Sequence, residues 1–340
     1  MGYAYCIDCI MCKVSVIVPF YNVEPYMERC ALSLLNQSLD DIEILFVDDA
    51  SPDGSRSVLE RVIAAHPRPH VSIITHPVNR GLPAARNSGL SVASGEYVYH
   101  CDSDDWVETD MLEKMYELAA AKKADIVYSD FFLTFPDGER WMTNPEFTIA
   151  EEMLTKGFLA GRMKFNVWNK LVKRSIYVDN GITFPDGYGM GEDTTMILLA
   201  AKSRTVAYLP EAKYHYVKSN PKAFTNTISD KHLSDFQHNF DRTLHFLEKC
   251  DFVDKNKYLN IFKLGLILPC LTSGRWKEAE YWESKYSEVF SAPSAVKEFG
   301  LRTRLVLRLG IRRHYRILSI YNYLVNNVYY GLKFRLCSKS

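Results

Sequence analysis

No apolar stretch in this 340-residue chain approaches the roughly 18 uninterrupted residues that a membrane-spanning helix needs, so a helical span is not expected. The N-terminus lacks the basic segment of a secretory signal and carries Asp8. The chain is therefore expected to stay in the cytoplasm, with its eight cysteines mostly reduced. Net charge is lacking as well. Lys and Arg number 41, Asp and Glu 41, and the formal charge of +0 offers no global field for nucleic acid. Internal repeats and low-complexity tracts are absent. Acidic residues are missing from Leu301 to Ser340, where Arg302, Arg304, Arg308, Arg312, Arg313, Arg316, Lys333, Arg335 and Lys339 fall, so the tail is basic and the body acidic. Cys6, Cys9 and Cys12 are three apart but have no fourth partner nearby, and a structural zinc site wants four. Residues 1–12 are read instead as an N-terminal extension without ordered structure.

What is present alternates strand and helix signals. Lys13 to Phe20 is a β-branched run suited to a strand buried on both faces, and Val23 to Ser38 follows with apolar residues at helical spacing. Ile42 to Val47 and Val71 to Thr75 read as further strands, each followed by turn formers and a helix: about Ser57 to Ala65, then a helix within Asn79 to Leu90. A fourth strand runs from Gly95 and ends abruptly at Asp102, Asp104 and Asp105. Such β-then-α units predict an α/β protein with a mostly parallel sheet flanked by helices. Ligands of such sheets sit at the carboxyl ends of the strands.

Three carboxylates at one strand end repel unless something neutral or cationic lies between them. A hard divalent cation, Mg²⁺ or Mn²⁺, bound through carboxylates and phosphate oxygens, resolves the conflict. An acidic turn capping the segment Trp106 to Ala121 is the plainer explanation. At the other strand ends, Asp49 can accept a hydrogen bond from a base N–H, Tyr21 can pack on the base, and Arg86 can reach a diphosphate. Taken singly, these residues are equally suited to helix caps and surface charges; together, at successive strand ends, they point to a nucleotide site.

The second half is less regular. A glycine-rich loop from Phe184 delivers Glu192 and Asp193 to the start of an apolar helix. They are either N-terminal caps or carboxylates able to take a proton from a hydroxyl. His215, in Tyr214-His-Tyr-Val-Lys, is a third metal ligand, a phosphate contact or a packed histidine. Asp230 to Lys249, Lys255 to Leu271 and Trp276 to Phe290 read as amphipathic helices. In the tail from Leu301 to Lys333, basic residues beside an apolar face suit either an anionic membrane surface or a docked terminal helix.

Four motifs, in order and spacing, resemble those of the family 2 glycosyltransferases of the bacterial surface-polysaccharide type. They are Val14-Ser-Val-Ile-Val-Pro-Phe-Tyr-Asn-Val-Glu, Val47-Asp-Asp-Ala-Ser-Pro-Asp-Gly-Ser, Asn79-Arg-Gly-Leu-Pro-Ala-Ala-Arg-Asn-Ser-Gly-Leu and Asp102-Ser-Asp-Asp-Trp. Trp168-Asn-Lys-Leu and Gly191-Glu-Asp extend the likeness to about residue 218. The resemblance implies a GT-A (Rossmann-like) fold, a nucleotide-sugar donor (commonly a UDP-sugar), Mn²⁺ or Mg²⁺, and inversion by a single displacement. It implies that Pro19, Tyr21 and Glu24 line the base, that Asp49 reads it, and that Arg86 lies near the nucleotide or diphosphate. Asp102, with Ser103, Trp168 and Lys170, joins the donor-binding set. Asp104 holds the metal, assisted by Asp105, and His215 is a candidate third ligand. Asp193 is the catalytic base, with Glu192 beside it. The family often places an arginine after the tyrosine-rich stretch; here it is Lys218.

The expected organisation is an N-terminal extension over 1–12, a GT-A domain over 13–225 and a helical C-terminal region over 226–340 with a basic amphipathic tail. The expected activity is metal-dependent transfer of a hexosyl or N-acetylhexosaminyl group to a glycan or lipid-linked acceptor. The expected place is the cytoplasm, with the tail contacting the inner face of the plasma membrane. A nucleotide-sugar-binding protein without activity is the non-enzymatic alternative. A nicotinamide-dependent dehydrogenase is excluded, since Pro-Phe-Tyr-Asn stands where Gly-x-Gly-x-x-Gly belongs. A processive polysaccharide synthase is not expected either, because Arg275-Trp276 is preceded by Thr272 rather than glutamine at the third position back.

Overall fold

The computed structural model describes residues 12–189, 191–218, 230–290, 296–297 and 299–325. The expected extension over 1–12, Cys12 excepted, and the tail beyond residue 325 lie outside the described residues. The chain divides into two compact units, Met1–Leu154 with Lys164–Cys250, and Thr155–Met163 with Asp251–Ser340.

The first unit is built on β1 (Val14–Phe20), buried at every position as its nearly continuous apolar run, broken only by Ser15, requires. β1 is flanked by β2 (Ile42–Asp48) and β4 (Tyr97–His100), and β3 (Val71–Thr75) extends the sheet beyond β2, giving the parallel order β3-β2-β1-β4. The register sets Phe20 beside Asp48 and Asp48 beside Thr75, so these strands end on one edge. The crossovers are α1 (Glu24–Leu35), α2 (Ser55–Ala65) and α3 (Leu82–Val92). Gly89 lets α3 press on β1: a Cβ there would stand 2.5 Å from Ile17 Cγ2.

The second half of this unit continues the sheet with mixed pairing. β8 (Lys170–Lys173) lies antiparallel to β4 and to β6 (Ile126–Phe135); β6 carries the hairpin partner β7 (Gly138–Met142) and runs parallel to β9 (Val206–Val217). The stretch Trp106–Ala121 is not one element. Trp106 and Val107 form a short strand, β5, on β9, and α4 (Met111–Lys122) follows. Helices α5 (Arg174–Asp179), α6 (Thr195–Lys202) and α7 (Asp230–Glu248) complete the unit.

In the second unit α8 (Lys255–Ser273) is packed by α9 (Trp276–Lys285), α10 (Leu301–Ile311) and α11 (Tyr315–Tyr323). The amphipathic tail is thus broken in two. Arg313 takes φ 55°, its N–H returns to the Gly310 carbonyl at 2.8 Å and that of His314 to Leu309 at 2.9 Å, which ends α10 as a left-handed C-terminal residue does. No helix among the described residues is long and apolar enough to cross a membrane.

Candidate active site

Asp49 follows β2 directly, and its side chain is only 5% exposed. Its Oδ1 accepts from His76 Nδ1 at 2.7 Å and from the Arg80 N–H at 2.8 Å; Oδ2 accepts from the Gly81 N–H at 2.7 Å. Gly81 has φ 88° and ψ 162°, backbone that only glycine adopts without strain, and this turns its N–H toward the carboxylate. Ala50 is held at φ 58°, a left-handed conformation that costs a non-glycine residue about 1 kcal/mol or more. Glu24 joins the first two strand-end loops: its carboxylate accepts from the Gly54 N–H at 2.9 Å and its own N–H donates to Asp53 at 3.0 Å. Tyr21 is exposed at the end of β1, and Pro19 is buried within that strand.

Arg86, on the first turns of α3, is the hub of the site. It is buried to 1% exposure, yet its guanidinium meets three carboxylates: Asp102 at 2.9 Å, Glu192 at 3.2 Å and Asp193 at 3.3 Å. Burial alone would favour losing its proton; Asp102, Asp193 and Glu192 more than reverse that and hold it cationic. Glu192 and Asp193 reach it from 106 and 107 residues away, through the loop that precedes α6. Gly191, at φ 84°, makes the turn that presents them.

One cation cannot neutralise three carboxylates. Burial, and then the Asp193 charge, push Glu192 up to about 8 against the pull of Arg86, so Glu192 keeps its proton near neutrality. Burial also raises Asp193, opposed first by Arg86. Asp193 is the more open of the two, at 29% side-chain exposure against 12%. Lys170 stands nearby, its Nζ donating to the carbonyls of Asn166 at 2.6 Å and Lys164 at 3.2 Å and to Asn169 Oδ1 at 2.8 Å. Burial lowers it to about 7, and Asp193 acts in the other direction.

The raised Glu192 has a consequence for stability. The folded protein holds a proton that the unfolded chain releases above about 4.5, so this contribution is complete below that pH and is lost as pH rises through about 8. The urea midpoint is expected to fall between pH 5 and pH 8.5, and Glu192→Gln to flatten that fall. An unchanged pH slope in Glu192→Gln would show that the proton is held elsewhere.

The aspartates after β4 take three different environments. Asp102 is bound to Arg86, Asp104 is half-buried, and Asp105 is fully buried. Asp105 accepts from the Tyr214 hydroxyl at 2.5 Å and the Val217 N–H at 2.7 Å. Burial, then Asp104 and Asp102, push its pKa well above the carboxylate range. Ser103 is buried between them. Trp168 lies in an aromatic core, stacked on Tyr214 at 4.4 Å and edge-on to Phe131 at 4.8 Å. His215 is stacked on Trp106 at 3.4 Å, its cross-strand partner, with Nδ1 on Glu139 at 2.7 Å and Nε2 on Glu108 at 3.0 Å. The structure therefore gathers Arg86, Asp102, Glu192, Asp193 and Lys170, and sets Asp105, Trp168 and His215 in surroundings of their own. His76 and Ser88 escaped the sequence reading. A histidine one residue past a strand whose neighbour ends in Asp48-Asp49 was the available signal.

Residues 15–183 match the family model described as "Glycosyl transferase family 2". Glycosyltransferase GlyG of Streptococcus pneumoniae is 32% identical over 220 residues, covering 60% of this chain and 70% of that protein. The chain belongs to glycosyl transferase family 2. It is 34% identical over 233 residues to the uncharacterized glycosyltransferase EpsJ of Bacillus subtilis and 36% over 187 residues to the cholesterol galactosyltransferase of Borreliella burgdorferi. The matches cover 65% and 50% of this chain and 66% and 50% of those proteins. Crystal structures of S. aureus TarS 1–349 superpose with TM-score 0.65 in complex with UDP and 0.67 with UDP-GlcNAc, at 20% and 21% identity, over 92% of this chain and 89% of TarS. A mannosyltransferase from Pyrobaculum calidifontis, in complex with GDP-Man and Mn²⁺, matches with TM-score 0.54 and 18% identity over 91% of this chain and 84% of that one. At these identities the likeness speaks for the fold, which is GT-A.

Proposed function

We propose that this glycosyltransferase moves a hexosyl or N-acetylhexosaminyl group from a UDP-sugar to a hydroxyl of a glycan or lipid-linked oligosaccharide, with inversion, in surface-polysaccharide synthesis. The observation that carries the proposal is the Arg86 cluster, which joins the end of β4 to the Glu192–Asp193 loop. Donor-side and acceptor-side carboxylates thereby share one buried cation. In this reading the GT-A domain spans 13–225 and a C-terminal region over 226–340 follows it, whose first described helix, α7, belongs to the same compact unit as the GT-A sheet.

Asp49 accepts the base N–H, Tyr21 packs on the base beside Pro19 and Glu24, and Asp102 with Ser103 meets the ribose or sugar. Asp193, the more open carboxylate, takes the acceptor proton, while protonated Glu192 keeps the pair from carrying two charges. In this single displacement Asp193 acts as base and not as nucleophile, so attack comes from the face opposite the diphosphate. Among the described residues no three His, Cys, Asp or Glu side chains converge as a metal cage. Half-buried Asp104 beside Asp102 fits the other kind of Mg²⁺ or Mn²⁺ site, one or two carboxylates completed by phosphate oxygens. A cation there would neutralise charge on the departing diphosphate. We assign Asp105 and Trp168 to supporting that loop, Lys170 to the electrostatics of Asp193, and His215 to Glu108 and Glu139 rather than to the metal.

Calorimetric titration of UDP with and without Mn²⁺, on the wild type and Asp104→Ala, tests this. Metal-dependent binding, at least about tenfold weaker in the variant, is expected. Absence of any UDP binding would count against the donor class and favour another nucleotide.

We also propose that the basic tail rests on an anionic membrane at its cytoplasmic face. Leu301 and Leu305 on α10, and Ile317 and Ile320 on α11, are exposed beside the exposed Arg308, Arg312 and Arg316. A basic residue near such a surface is worth about a factor of five in affinity. Neutralising those three arginines to Gln is expected to weaken binding to phosphatidylglycerol vesicles, read by co-sedimentation, by about a hundredfold. Equal binding to phosphatidylcholine vesicles would refute the electrostatic part.

A further inference from the structure

We propose that His76, backed by Ser88, is the positioning residue for base recognition: it holds Asp49 in the orientation that leaves one carboxylate lone pair for a uracil N–H. The inference rests on the nucleotide reading of Asp49. Two ionised carboxylate oxygens offer about four lone-pair sites. Oδ1 of Asp49 uses both of its sites, on His76 Nδ1 and the Arg80 N–H; Oδ2 uses one, on the Gly81 N–H. A single site on Oδ2 is left for a newcomer. The donors arrive from β3's end and from the start of α3, so the carboxylate cannot turn without breaking bonds at both.

His76 is itself fixed. Its N–H donates to the Asp48 carbonyl at 2.9 Å, and its Nε2 lies 2.8 Å from Ser88 Oγ on α3. A Ser88 hydroxyl donating to Nε2 selects the tautomer that carries its hydrogen on Nδ1, facing Asp49. Ser88, His76 and Asp49 thus form one hydrogen-bonded chain from α3 to the strand edge, with His76 and Asp49 each 5% exposed. A carboxylate fixed this way discriminates between bases by chemistry. Uracil presents N3–H, a donor, whereas cytosine presents an N3 lone pair that the carboxylate repels.

The test compares UDP and CDP dissociation constants by calorimetry, in the presence of Mn²⁺, for the wild type, His76→Phe, His76→Asn and Ser88→Ala. His76→Phe keeps an aromatic ring and removes both nitrogens; the Asn amide reproduces the Nδ1 donor. The wild type is expected to prefer UDP. His76→Phe should weaken UDP binding by about tenfold or more, the worth of a hydrogen bond to a charged group, and leave CDP nearly unchanged. His76→Asn should restore most of the preference, and Ser88→Ala, which folds with one bond fewer, should shift it less but in the same direction. UDP and CDP weakening equally in both His76→Phe and Ser88→Ala, or an unaltered ratio, would overturn the role of His76 while leaving the donor class intact. A wild type that binds UDP and CDP equally would overturn base reading by Asp49, and the role of His76 with it.

Discussion

Arg86→Ala is expected to abolish measurable sugar transfer and to lower stability by about 3–5 kcal/mol, the cost of removing one partner from a buried ion cluster. The substitution leaves Asp102, Glu192 and Asp193 facing one another without a cation. Relief comes only through protonation or through separation of the Glu192 loop from α3, and either removes the base. Urea denaturation at pH 7.5 and initial rates of donor hydrolysis measure the two effects. Arg86→Lys should recover part of the stability and little of the activity, because a compact ammonium lacks the planar fork that reaches carboxylates on both loops at once. An Arg86→Ala protein as stable as the wild type would mean that the cluster is held by other contacts.

Asp193→Asn carries the second large effect. The amide preserves shape and can still accept from Arg86, but it cannot take a proton. Transfer is expected to fall by about 10²–10⁴-fold, the usual contribution of a general base. The dissociation constant of the UDP-sugar should change by no more than a few fold if, as proposed, the donor is held by the strand ends. A loss in donor affinity matching the loss in rate would instead place Asp193 among the donor contacts. Glu192→Gln should be much the milder change, because that residue is already protonated near neutrality.

The four strand-end segments were legible in the chain because each records a local requirement. Val14–Phe20 is apolar at every position but Ser15 because both of its faces are covered, and the turn formers after Val47 mark where the chain must leave the sheet. The parallel sense of the four strands then follows from short β-then-α spacing, whereas the order β3-β2-β1-β4 came only with the structure. Other features were not legible. Trp106–Val107 reads as the start of a helix because its pairing partner, β9, is more than a hundred residues on. The aspartates at 102, 104 and 105 look alike in sequence; in the fold one is an ion-pair partner, one is half-buried and one is a buried group bonded to Tyr214.

By itself, then, the sequence determined the first four strands, that their polar ends share one edge, and that this edge belongs to a family 2 glycosyltransferase. Those properties are encoded in local periodicity and in motifs of adjacent residues. Only the tertiary structure decided that Arg86 binds Glu192 and Asp193, that His76 locks Asp49, and that His215 lies against Trp106 between two glutamates. Each of these contacts joins segments far apart in the chain. Their energies depend on burial and on the direction of a hydrogen bond, and neither exists until the sheet has closed over them.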